Sequence, residues 1–178
     1  NRSGLSGVGN ENYTWYLKNV HLVPYTWEQE ETILLRELAR AHASLRLEEN
    51  RNRGLAVLSR IDNVADYDRN FNEAVDDMIT FLEEEEIFTM ADYMDPALRA
   101  RIGSFSPADG LRGFFSEIDY RDPLTMRTHG VHWIDLARME HEPHESPMRR
   151  VPALSNIYDN RSEGLATGFE EMMMHAGL

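Results

Sequence analysis

The sequence predicts a mainly α-helical protein with at most a short β segment. Apolar residues recur every three to four positions in several long stretches, the period of one helix face. Start and stop signals bracket those stretches, among them Thr26 with Gln29 three residues on, the pairs Asp95-Pro96 and Asp122-Pro123, and Gly54 and Gly177 as stops. Only residues 112–118 read as a strand. The 178 residues suit one helical domain, 1–178, large enough to bury a core.

The first helix is predicted over Asn12–Asn19, with Tyr13, Tyr16 and Leu17 on one face, before Pro24 interrupts. Thr26 and Gln29 make a capping box for a second helix running to about Asn50. Ile33, Leu34, Leu38, Ala41 and Leu45 form its apolar face, and Gly54 is its expected stop. A third helix starts near Asp66 or Asp68 and buries Phe71, Val75, Met78, Ile79 and Leu82. It runs into Glu83-Glu84-Glu85-Glu86, read as a solvated helix end because no loop gathers their oxygens around an ion. Asp95 and Asp122 are expected N-caps, each followed by Pro at the first helical position. Arg112–Ile118 is the strand candidate, and Ser146-Pro147 marks another helix start. The last helix is predicted over Asp159–His175, capped by Gly177.

Composition narrows the function. A formal net charge of -13 opposes binding to nucleic acid or to anionic membranes, which needs a cationic surface. No apolar run approaches the roughly 20 residues that span a bilayer. Without Cys, thiolate metal sites and Cys nucleophiles are excluded, so any metal rests on His, Asp and Glu. The chain opens at Asn1 in a Gly/Ser-rich stretch and stops at Gly177-Leu178, and is read as an excised piece of a longer protein.

The candidate chemistry lies in the last third. Four of the seven histidines fall between His129 and His144. His129 and His132, three apart, share one helix face, where imidazoles either ligate one metal or serve as hydrogen-bonding groups. Trp133 and Leu136 make the surroundings partly apolar. Asp135 reads either as a partner for an imidazole N–H or as an exposed helix acid. In His141-Glu142-Pro143-His144-Glu145, Pro143 breaks the register, so a mobile acidic loop with side chains in unrelated directions is expected. Glu163, followed by Gly164 for close packing, is either a ligand or a favourable anion at a helix N-terminus. Glu170 and Glu171 compete for the same role two turns on, and Met172-Met173-Met174 reads as core.

Several of these stretches carry a resemblance. Ser6-Gly7-Val8-Gly9-Asn10-Glu11-Asn12-Tyr13-Thr14-Trp15-Tyr16-Leu17, Thr26-Trp27-Glu28-Gln29-Glu30, and Glu163-Gly164-Leu165-Ala166 with Glu170 or Glu171 downstream resemble the DUF885 family. These are large helical bacterial proteins related to the gluzincin zinc metallopeptidases. The last stretch resembles the family's Glu-Gly-Trp-Ala-x-Tyr-x-Glu helix, with Leu165 for Trp. The family's His-Glu-x-x-Pro-Gly-His-His-Leu-Gln helix aligns in two ways. Matched by its end, it carries over His132, and the leading His-Glu falls on Met126-Arg127. Matched by its start, it carries over His129, and Gly130 stands for the general-base Glu.

The resemblance implies a metallopeptidase-like helical fold and a divergent zinc-dependent hydrolase of peptide or small amide substrates. Its zinc would rest on His129, His132 and Glu163, with Asp135, Glu170 or Glu171 replacing the missing base. A second reading is a catalytically inactive scaffold in which Arg127 pairs with Glu163 in place of the cation. A third is a metal-independent lyase with His132 as base.

Overall fold

The computed structural model describes residues 7–107, 113–146 and 157–178, with side chains of the last segment from Ser162 onward. The described residues are mainly helical and contain no strand. They fall into two compact units.

The first unit holds α1 (Asn10–Tyr16), a single π-helical turn (Leu17–His21) and α2 (Trp27–Arg51). The expected Asn12–Asn19 helix thus begins earlier and widens into the π turn, which closes with Leu22 in the left-handed region (φ 57). Of the face expected from Tyr13, Tyr16 and Leu17, only Leu17 is buried. The capping box of α2 forms as expected. Gln29 N–H donates to Thr26 Oγ1 (3.3 Å), and Thr26 N–H donates to Gln29 Oε1 (2.9 Å). Trp27 N–H also donates to Thr14 Oγ1 (3.0 Å), and the Tyr13 and Trp27 rings meet edge to face at 5.7 Å, which joins α1 to the start of α2. No residue of α2 is buried, so its apolar stripe covers no core. The helix ends at Arg51 with Asn52 as its cap, ahead of Gly54.

The second unit holds α3 (Val64–Glu84), α4 (Met94–Arg99), α5 (Phe114–Asp119), α6 (Leu124–His141) and, from Tyr158 onward, α7 (Ile157–Ala176). Asn63 caps α3 by accepting Asp66 N–H (2.9 Å). Tyr67, Phe71, Ala74, Val75, Met78 and Leu82 then turn one continuous face inward. Met94 and Leu98 of α4, Met126, Val131 and Ile134 of α6, and Met173 of α7 complete that core. Each fully buried Met or Leu side chain contributes about 1.5–3 kcal/mol by leaving water. Beyond Glu84 the chain leaves the helix through exposed Glu85 and Glu86, the latter at φ 52.

Three expected elements differ. Asp95 lies inside α4, whose N-cap is Tyr93, because its carboxylate takes Arg99 Nε (2.6 Å) one turn on. Residues 114–119 are helix, not strand; Glu117 N–H donates to Gly113 O (2.9 Å), and no strand stands beside them among the described residues. Arg112 lies outside the described residues, as does Pro147 of the Ser146-Pro147 start. Asp122 does not cap α6. Asp119 does, accepting Thr125 N–H (3.0 Å), while Asp122 binds Arg127.

Candidate functional site on the facing helices α6 and α7

The inward face of α6 carries Met126, Gly130, Val131 and Ile134. Gly130 lets α6 sit close to Met78: a Cβ built on it overlaps Met78 Sδ, lies 2.7 Å from Met78 Cε and 3.2 Å from Leu98 Cδ2, so a larger residue requires the Met78 side chain to move. With that face fixed, His129 and His132 are carried to the side turned toward α7. Their ring centroids are 4.9 Å apart, and Trp133 stands edge-on to His129 at 5.6 Å. On α7, Ser162, Ala166 and Met173 are buried and Phe169 packs against the core. That helical stripe anchors α7 and leaves Glu163 and Glu170, two turns apart, along its margin.

The two helices meet through these side chains. His129 Nδ1 lies 2.5 Å from Glu170 Oε1. His132 Nδ1 lies 3.4 Å from Ser162 Oγ, and His132 Nε2 lies 3.7 Å from Glu163 Oε1. The later residue of α6 meets the earlier residue of α7, so the helices run antiparallel. His132 is largely enclosed, with 11% of its side chain exposed, whereas Glu163 is 66% exposed. The face therefore has a sheltered imidazole floor and a carboxylate rim open to solvent.

His129, His132, Glu163 and Glu170 thus share one face. Other candidates lie elsewhere. Glu171 turns to His175 on its own helix (3.6 Å). Asp135 is buried at 6% exposure, which overturns the exposed-acid reading. Glu163 sits six residues past Ile157, beyond the first turn where a helix dipole acts, so the N-terminal anion reading fails. Gly164 is exposed with no described heavy atom within 4 Å of a built Cβ, so it serves no close packing. Only Met173 of the three methionines is core; Met172 and Met174 are exposed. Arg127 does not pair with Glu163: it binds Asp122 and Asp77 (3.3 Å), which lie on its own side of the fold. Met126 is 1% exposed, a core residue.

The segment after α6 is more ordered in its contacts than its Pro suggests. His141 stacks on Tyr93 (4.4 Å between centroids, 6° between planes), and Tyr93 O–H donates to Glu142 Oε1 (2.6 Å). Burial and that bond push the Tyr93 hydroxyl up to about 12, and the same bond holds the Glu142 carboxyl below its usual range. Arg138 also binds Glu142 (3.3 Å). Sequence reasoning missed Tyr93, which is 49 residues from its partner. It also missed Ser162, although the 162–166–169–173 spacing marks it as inward-facing.

Among the described residues no three His, Asp or Glu side chains gather as a metal-binding group. His132 Nε2 and Glu163 Oε1 approach each other across the two helices. Their 3.7 Å separation is close to the about 3.3 Å expected between two ligands of a tetrahedral zinc. No protein-family model, no curated protein and no solved structure matches this chain.

Proposed function

We propose that this protein is a divergent metal-dependent hydrolase of peptide or amide bonds, with His132, Glu163 and His129 as the ligand set for zinc. The observation that carries the reading is the approach of His132 Nε2 to Glu163 Oε1 across two helices, with a second imidazole one helical turn away. Two His and one Glu are the donor set of several catalytic zinc sites, in which a further position stays open. When bound, zinc acidifies water and polarises a carbonyl. Glu163 on the rim would take the exposed side of the ion and His132 the sheltered side. Of the three candidate bases, Glu170 reaches this face, and its carboxylate is engaged with His129. The resemblance of 163–166 to a metallopeptidase helix supports the same assignment and suggests the substrate class.

A catalytically inactive scaffold is the second reading. The 2.5 Å His129–Glu170 pair favours it, because both groups are satisfied there without a cation. Arg127 has no part in it, since its guanidinium is held by Asp122 and Asp77.

Elemental mass spectrometry on the purified protein separates the two. The hydrolase reading predicts stoichiometric zinc that is lost in Glu163→Ala. Protein that stays metal-free after incubation with zinc, or a Glu163→Ala variant with unchanged zinc, rejects it and leaves the scaffold.

A further inference from the structure

The two imidazoles share a feature that their spacing on α6 does not require. Each turns its Nδ1 toward a side chain of α7: His129 toward Glu170 Oε1 at 2.5 Å, His132 toward Ser162 Oγ at 3.4 Å. An ionised carboxylate only accepts hydrogen bonds, so the short contact requires the proton on His129 Nδ1. In the neutral ring the lone pair is then on Nε2. At His132 the Nδ1 side is closed by a serine that is 1% exposed, and Nε2 is the nitrogen facing Glu163.

We propose that Glu170 is a positioning residue. Its carboxylate fixes the tautomer and ring angle of His129, so that Nε2 is the working nitrogen of that ring. Ser162 holds His132 in the matching orientation from the buried side of α7. The assignment deepens the site reading above and rests on it for its purpose, but the tautomer it specifies is a property of the metal-free protein. Outer partners of this kind raise the basicity of an imidazole and set which nitrogen is offered. The assignment also separates Glu170 from Glu171, whose carboxylate lies 3.6 Å from His175 on its own helix.

The test is two-bond 1H–15N correlation NMR of the histidine side chains in metal-stripped protein, at a pH where imidazole is neutral. Wild type should show His129 protonated on Nδ1. Glu170→Ala should lose that signature, and Glu170→Gln, which retains a carbonyl acceptor, should keep it. Wild-type His129 protonated on Nε2, or a Glu170→Ala variant with the wild-type pattern, overturns the proposal. The side chain of Glu170 is 40% exposed on a helix, so its truncation to Ala leaves the core untouched. Neither result depends on zinc, so failure of the positioning role and failure of the hydrolase reading are observed separately.

Discussion

Two glycines on the facing helices have opposite surroundings, and the difference predicts opposite responses to the same substitution. Gly130 faces Met78 and Leu98, and Met78 is fully buried, so a Cβ at 130 forces the end of Met78 to shift within the core. Gly130→Ala gains about 1 kcal/mol of helix propensity. It meets an overpacking cost of about 1–3 kcal/mol, so the variant should melt below wild type. Gly164 is exposed in α7 and a Cβ there meets nothing described within 4 Å. Gly164→Ala should raise stability by about 0.5–1 kcal/mol. Thermal melts of the two variants beside wild type check both signs, and a Gly130→Ala protein that melts higher would mean that Met78 repacks freely. Position 130 points into the core, where a carboxylate would be desolvated without a partner.

At the scale of single elements, local chemistry was the legible part. The capping box at Thr26, the stripe of α3 and the Gly177 cap (φ 105, with Gly177 and Leu178 N–H both on Met173 O) each depend on residues within a few positions of one another. The α6 start was misread because its cap comes from a different helix. Asp119, at the end of α5, takes Thr125 N–H. Burial nonetheless lifts the Asp119 carboxyl above its ordinary range, outweighing the Thr125 bonds that pull it down. A raised carboxyl contributes stability that is complete below the ordinary value of 3.8 and is lost as pH rises through the raised value. Asp119→Asn keeps an acceptor for Thr125 and has no charge to desolvate. It should melt higher than wild type at neutral pH, with the gap closing as the pH falls toward 3.8; a gap independent of pH would show that the charge is not the cause. Residues 112–118 carry no strict alternation of apolar and polar side chains, and a run this short did not separate a strand from the helix that forms over 114–119.

At the scale of the whole molecule, the two units differ in how they use their apolar residues. Of the face expected for α3, Phe71, Val75, Met78 and Leu82 are buried and Ile79 is partly buried, whereas Leu34, Leu38 and Leu45 of α2 are each more than half exposed. Backbone amides of α2 should therefore exchange with solvent well before those of α3 and α6. Hydrogen-exchange mass spectrometry measures this directly, and equal protection of α2 and α3 would contradict it. The candidate site divides in the same way between what sequence reveals and what only folding reveals. The residue types and their placement on two helices were readable, because His129 and His132 share a face by spacing alone. The partner of each was not. Glu170 reaches His129 across 41 positions, Ser162 reaches His132 across 30, and Arg127 reaches Asp77 across 50. No local rule links residues so far apart in sequence.

The antiparallel meeting of α6 and α7 sets a step of three positions from His129 to His132 against a step of seven from Glu163 to Glu170. Along their axes these steps measure about 4.5 Å and about 10.5 Å, so long glutamate side chains make up the difference. The stretch 164–169 therefore acts as a ruler. Its outward positions tolerate changes of composition, but gaining or losing one residue would swing Glu170 about 100° off the face. Natural variants of this protein would be free at the outward positions of that segment, and fixed at Ala166 and Phe169 and in its length.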